Sequence, residues 1–327
     1  MTGALLLVTA VLTVVAAPLT LCTRSSVSSA RDGKRLEVWD SWRHTAIQGY
    51  GWAAHLLAGA LALSAFTAFL AGLLLLAGVG ATHRGVRRFG ALAAGMSSAV
   101  AATTVGFVLA LKAGDIDTMS TRHYPSGYTE TLGKFVTTPK AGFWVLAVVA
   151  VIAVGAALSV FVGERTVAPT PRRAGDVAGS VLLLAATALA LAGSFVPVDE
   201  SHRRGLSTVL AAPGSATPLW VVNAPVILTA ILAVAAACGL CARIQRGRPV
   251  FRVLAWMSAG GLFGFLVTTL LEAVSQMLLR HDWLLHYASA FWYLTAAVVM
   301  VLVAMIAGRV PDPRVSGPQG PQFLGHN

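Results

Sequence analysis

Two ionisable side chains stand inside or at the end of long apolar runs, Lys112 and Glu272. Glu272 is the one carboxylate deep in such a run, and its charge costs roughly 2.5–3.5 kcal/mol at mid-bilayer on insertion scales. Lys112 closes the corresponding run of the first half of the chain at similar depth. A Lys112–Glu272 pair would cancel both costs and line a path for a proton or small molecule. A purely structural pair, or side chains reaching to the interface, would cancel them as well. Gln276 lies one turn beyond Glu272 on the same helical face. His55 falls about one turn inside the second run, with Asn223 at the matching place of the second half. An imidazole there serves as an interhelical hydrogen-bonding group or as a haem or metal ligand. His286, just before the last run, is the other candidate for a cofactor.

Other catalytic constellations are missing. The histidines show no HxxxH or HExxH spacing, and no Walker loop, dinucleotide fingerprint, GxSxG elbow or carboxylate dyad occurs. Cys238-x-x-Cys241 has no further thiol or imidazole nearby and reads as packing, while Cys22 lies at the opposite end of a run. No metal site and no resident cofactor are therefore expected, haem being the one considered.

Lipid-embedded helices must position these residues. Hydrophobic residues make up 56% of the 327 and charged residues 11%, against about 25% charged in a soluble domain. Mean hydropathy is +0.74. Each span needs roughly 20 apolar residues. The runs predict eight: Ala4–Leu21, Gly51–Gly78, Ala91–Lys112, Gly142–Val162, Val177–Val196, Leu219–Leu240, Val253–Gln276 and Phe291–Gly308. They are too long and continuous for barrel strands. The expected fold is an all-α polytopic membrane protein. Ala4–Leu21 lacks a basic stretch before it and reads as a retained span.

The chain also echoes itself. Arg84-Gly85-Val86-Arg87-Arg88-Phe89 aligns with Arg246-Gly247-Arg248-Pro249-Val250-Phe251. Trp52 aligns with Trp220, and Phe143-Trp144 with Phe291-Trp292. Three anchors in one order predict two pseudo-equivalent four-helix halves, 1–163 and 164–308, followed by a Pro/Gly-rich disordered tail, 309–327.

Net charge is +11. Arginines in short turns, not a nucleic-acid surface, account for it. The turns 79–90, 163–176 and 241–252 and the tail hold 12 arginines against Glu164, Asp176 and Asp312, a net of +9, leaving +2 elsewhere. By the positive-inside rule that side is cytoplasmic, with both termini on it; the Ala/Gly/Val/Arg bias with only four lysines suggests a bacterial plasma membrane. The longer segments 22–50, 113–141, 197–218 and 277–290 then face outward, with seven of the eight tryptophans.

Gly260-x-x-x-Gly264, and Gly95 with Ser97, Ser98, Thr103 and Thr104, allow close helix approach. The third and seventh helices should cross at the centre, or Gly260 and Gly264 should form a homodimer seam. Two four-helix halves with long outer segments resemble the haem A synthase plan, which implies haem-ligating histidines in paired helices. His55 occupies one such place, but Asn223 stands at its counterpart and no outer cysteine pair exists, so the resemblance extends to architecture alone. Claudin-like four-helix proteins resemble the plan to the same degree.

The expected role is binding, assembly or scaffolding through the outer segments, with the bilayer and another membrane or extracytoplasmic protein as partners. The alternatives are proton-coupled or small-molecule transport through Lys112, Glu272 and His55, and haem or quinone redox chemistry.

Overall fold

The apolar runs fold as helices because only a helix satisfies every backbone group inside lipid without a partner segment. The computed structural model describes residues 1–27, 34–45, 52–54, 56–78, 84–113, 115, 120–123, 129–132, 134–164, 174–195, 197–199, 204–205, 219–241, 248–280 and 288–307. His55, His286 and the tail 309–327 lie outside these, as do the turns 79–83, 165–173 and 242–247. Eight helices are present among the described residues: α1 (Thr2–Ala16), α2 (Leu57–Leu76), α3 (Arg84–Ala113), α4 (Ala141–Glu164), α5 (Ala174–Phe195), α6 (Leu219–Cys241), α7 (Arg248–Arg280) and α8 (Ala288–Ala307). Six are long and apolar enough to cross a membrane. α1 and the apolar part of α8, Phe291–Ala307, are shorter.

Several boundaries differ from the sequence reading: the second run, expected as helix from Gly51, holds a strand at Trp52–Ala54 and is helical only from Leu57. The first run was expected to continue to Leu21, but Pro18 has no N–H for helical bonding, and the chain turns into a strand at Thr20. At 15 residues, α1 reaches about 22 Å, short of the ~30 Å hydrocarbon core. Conversely, α3 and α7 take in the basic stretches expected as turns, so Arg84, Arg87, Arg88, Arg248 and Arg252 lie in their first turns. With 30 and 33 residues these helices extend about 45 and 50 Å, well beyond the core of a bilayer.

The helices alternate in direction. Thr2 of α1 bonds Ser159 near the end of α4 at 2.6 Å. Gly3 lies against Gly72 and Leu76 of α2, and Gly90 of α3 against Leu75. Within the first four helices, α1 and α3 each pack on α2 and α4. Within the last four, α5 and α7 each pack on α6 and α8. The most extensive helix pairing joins α3 to α7. Phe66, Val151, Ile231 and Ile306 remain exposed on the outside of the bundle, as a lipid-facing surface requires.

Segments read from sequence as loops, with the end of the first run and the start of the second, carry a sheet. Strands β1 (Thr20–Val27), β2 (Lys34–Asp40), β3 (Arg43–Thr45), β4 (Trp52–Ala54) and β7 (Lys134–Pro139) form a five-stranded antiparallel sheet in the order β4-β3-β2-β1-β7. Two further hairpins pair β5 (Ser120–His123) with β6 (Thr129–Leu132), and β8 (Pro197–Asp199) with β9 (Arg204–Gly205). Thr, Val and Ser make up most of β1, as a strand favours.

The five-stranded sheet is fixed to the helix ends. Ser41 Oγ donates to the Ala17 carbonyl at 2.5 Å, and the Ala58 N–H donates to the Ser41 carbonyl at 2.8 Å. Lys140 N–H bonds the Leu21 carbonyl at 2.9 Å. Asp115, just past α3, takes the Thr137 N–H at 2.8 Å and its hydroxyl at 2.6 Å. That carboxylate occupies an edge N–H of β7, which disfavours addition of a foreign strand there.

Cys22 is fully buried in β1, between Trp39 of β2 and Pro139 of β7 in the register. A membrane-impermeant maleimide is therefore expected to leave Cys22 unmodified in the folded protein and to label it after denaturation. Rapid labelling of folded Cys22 would show the sheet to be open.

Candidate functional site

Glu272 of α7 is buried, with 4% of its surface exposed. It lines a small cavity with Thr268 and Thr269 of the same helix, Thr103, Thr104 and Phe107 of α3, and Leu57 of α2. The two long helices contribute in the same pattern. Thr103, Thr104 and Phe107 stand at i, i+1 and i+4, as do Thr268, Thr269 and Glu272, so each set shares one helical face. The cavity has room for about one water-sized group. It therefore admits a proton carrier, a water or a monovalent ion, and no haem or quinone ring.

The hydroxyls are oriented by their own helices. Thr104 Oγ1 donates to the Val100 carbonyl at 2.8 Å, Thr268 Oγ1 to Gly264 at 2.7 Å and Thr269 Oγ1 to Phe265 at 2.8 Å. With those protons committed, the oxygens offer only lone pairs. Thr103 Oγ1 is buried and has no hydrogen-bond partner among the described residues. A carboxylate and several acceptor oxygens together suit an occupant that donates hydrogen bonds or carries positive charge.

On the sheet side, the Phe107 wall of the cavity packs against a strand. Trp39 of β2 meets Phe107 edge to face, with centroids 5.4 Å apart. Ser275, one turn past Glu272, accepts the Leu56 N–H at 2.8 Å and donates to the Leu271 carbonyl at 2.7 Å. These contacts join β2, α2 and α7 above the carboxylate.

On the opposite side α3 and α7 touch backbone to backbone. A Cβ at Gly260 would meet the Leu92 carbonyl, and one at Gly264 would come 2.7 Å from the Met96 carbonyl. Gly95 faces Met257 and Gly261. Gly260 and Gly264 thus face α3 of the same chain, and this contact occupies the surface that a homodimer seam through them would use.

The other residues singled out from the sequence are scattered. Lys112 is exposed near the end of α3, and among the described residues no ion pair joins it to Glu272. Asn223 of α6 is buried, with no partner for Nδ2 among the described residues, two residues before Pro225 within the same helix. The Gln276 side chain, His55 and His286 lie outside the described residues. Among the described residues no group of three or more His, Cys, Asp or Glu is placed to hold a metal. The Thr268-Thr269-x-x-Glu272 pattern was readable in the sequence. Its meaning depended on the matching Thr103-Thr104 pair across the seam.

A second polar cluster lies at the other end of the bundle, where the sequence reading expected only solvated turn charges. Arg252 of α7 and Asp176 in the first turn of α5 are both buried. Arg252 Nε and Nη2 donate to the two carboxylate oxygens at 2.9 and 2.5 Å, a bidentate pair. They border a shallow open recess lined also by Arg88 of α3 and Trp256 of α7.

Comparison with protein-family models, with curated proteins and with solved structures gives no match.

Proposed function

We propose that the chain is a multi-pass plasma-membrane protein that carries a proton or a small monovalent cation through the Glu272 pocket. In this reading all eight helices are embedded as two pseudo-equivalent quartets, with both termini cytoplasmic. The internal sequence echo, the matching packing order of α1–α4 and α5–α8, and the +9 charge of the turns and tail support that arrangement.

The observation that carries the function is the buried Glu272 carboxyl facing acceptor oxygens in a cavity of water size. A charged carboxylate is costly in lipid, so the charge state of Glu272 can couple to binding of a proton or monovalent cation beside the contact it already makes within the protein, and the hydroxyl oxygens of the cavity are placed to share in holding either one. The site sits where the two quartets meet, which is where rocking of one repeat against the other gives access to each side in turn. The small-residue contact between α3 and α7 is the surface along which they would shift.

Proteoliposomes with an internal pH dye or a loaded alkali cation test this. Glu272→Gln is expected to abolish flux while keeping the wild-type elution profile and helicity. Undiminished flux in this well-folded variant, or no flux from the wild type, would remove the proposal.

A second reading is assembly, in which the sheet β4-β3-β2-β1-β7 docks an extracytoplasmic or membrane partner. Its rigid attachment to the helix ends favours it. Co-purification in mild detergent separates the two. Under the assembly reading a stoichiometric partner stays bound to Glu272→Gln and is lost when the exposed Trp42 is replaced by alanine.

A further inference from the structure

The depth of the five-stranded sheet relative to the helices follows from contacts at both ends of α1. Thr2 bonds Ser159 of α4, and a Cβ at Gly142 of α4 would meet the Leu19 and Thr20 carbonyls. In an antiparallel pair these two contacts put Trp144 level with Ala17. Gly3 lies against Gly72 of α2, which puts Ala58 at that level as well. The contact of Gly90 in α3 with Leu75 in α2 carries the level on to Phe107. The sheet touches the bundle along this plane: Ser41 is bonded to both Ala17 and Ala58, and Trp39 packs on Phe107.

The plane has the spacing of a membrane interface. About 20 helical residues span the ~30 Å thickness of a hydrocarbon core. Counted from the plane, that length reaches Glu164 in α4, Arg87 in α3 and Gly78 just past α2. Charges and a helix end thus fall at one boundary of the core, and the plane falls at the other. Between the boundaries, Val148, Val151, Val154, Leu158 and Val162 of α4 are exposed, as lipid contact requires.

At the sheet-side boundary the exposed side chains become aromatic. Trp144 is exposed in the first turn of α4, as is its counterpart in the sequence echo, Trp292, near the start of α8. Trp42 is exposed in the turn between β2 and β3, next to Ser41 and therefore beside the plane. Arg43 lies over the Trp42 ring at 4.5 Å and bonds Asp40 through Nε at 2.7 Å, which holds the indole from the sheet side. An indole suits the boundary between headgroups and acyl chains.

We infer that the β2–β3 turn rests in the phospholipid headgroup layer, with Trp42 and Trp144 inserted at one depth as lipid anchors. The sheet is then seated on the membrane surface, continuous with the lipid-facing side of the helices. This rests on the helices being embedded and is independent of transport through Glu272.

The test uses the full chain in phospholipid nanodiscs, with Cys238→Ala and Cys241→Ala removing the exposed thiols. Nitroxides attached singly at Trp42→Cys, Trp144→Cys and Val151→Cys report depth through collision with oxygen, which concentrates in lipid, against a water-soluble nickel chelate. Positions 42 and 144 are expected at the same headgroup depth, and position 151 about 10 Å deeper. A second measurement needs no label. The emission lost on Trp42→Phe should be quenched when the wild type is placed in lipids brominated near the glycerol. Chelate access at position 42 equal to that of a nitroxide in buffer, or Trp42 emission untouched by brominated lipid, overturns the inference. Shielding of position 42 from oxygen and chelate alike, with a stoichiometric protein retained, would assign Trp42 to a protein partner and overturn it too. Chelate access at position 151 would remove the embedding of the helices along with it.

Discussion

Gly260→Ala is expected to destabilise the folded chain by about 1–3 kcal/mol or more, although alanine is the better helix former by about 1 kcal/mol. The new Cβ would be driven into the Leu92 carbonyl, and its neighbouring contacts are also backbone atoms of α3. A side chain at that point would rotate away; a helix backbone moves only if α3 and α7 separate. Gly155→Ala in α4 is the internal control, because nothing lies within 4 Å of its added Cβ. That substitution should be neutral or stabilising by up to ~1 kcal/mol, from the propensity gain alone. Reversible unfolding in mixed micelles, or thermal unfolding in detergent, reads both. Two changes of identical chemistry should thus move stability in opposite directions. If Gly260→Ala is as well tolerated as Gly155→Ala, the backbone contact between α3 and α7 is wrong, and with it the position of the Glu272 pocket.

Breaking the buried pair at the arginine end should cost more. Arg252→Met is expected to lose about 3–5 kcal/mol, since Asp176 would keep a buried charge without its bidentate donor. The paired substitution Asp176→Leu with Arg252→Met removes both charges and should recover most of the loss, because apolar replacements of buried ion pairs are often neutral or stabilising. The double-mutant cycle therefore yields a large coupling energy, measurable by the same unfolding assay. Additive losses would place the two side chains apart. Solvated turn charges, as the sequence suggested for both residues, would give an effect of at most ~1 kcal/mol.

Both expectations concern contacts between helices distant in sequence. Asp176 and Arg252 are separated by 76 positions, and each stands beside other charged residues in a stretch that resembles an ordinary cytoplasmic turn. Only the extension of α7 back to Arg248, and the start of α5 at Ala174, bring the pair inside the bundle. The basic composition was visible from sequence. The burial was not, because it depends on which face of α7 meets α5.

The helices themselves were legible because their signal is local. Runs of about 20 apolar residues have one stable form in lipid, and each of α2 through α8 covers most of one run, with ends that differ by up to seven residues. Glu272 was legible for the same reason, as a carboxylate where charge is costly. The sheet was not. Its strands are 3–8 residues long, and β7 pairs with β1 across more than a hundred positions, so no local period announced it. The partners of Glu272 were likewise decided by tertiary structure. Lys112, chosen from depth along the chain, is exposed, whereas Thr103 and Thr268 were set beside the carboxylate by glycine contacts that fix the rotation of α3 against α7. Sequence alone determined that the chain is helical and suited to a membrane, because hydropathy is summed along the chain. Helix rotation and long-range strand pairing set the neighbours of each polar group, and those are properties of surfaces in contact.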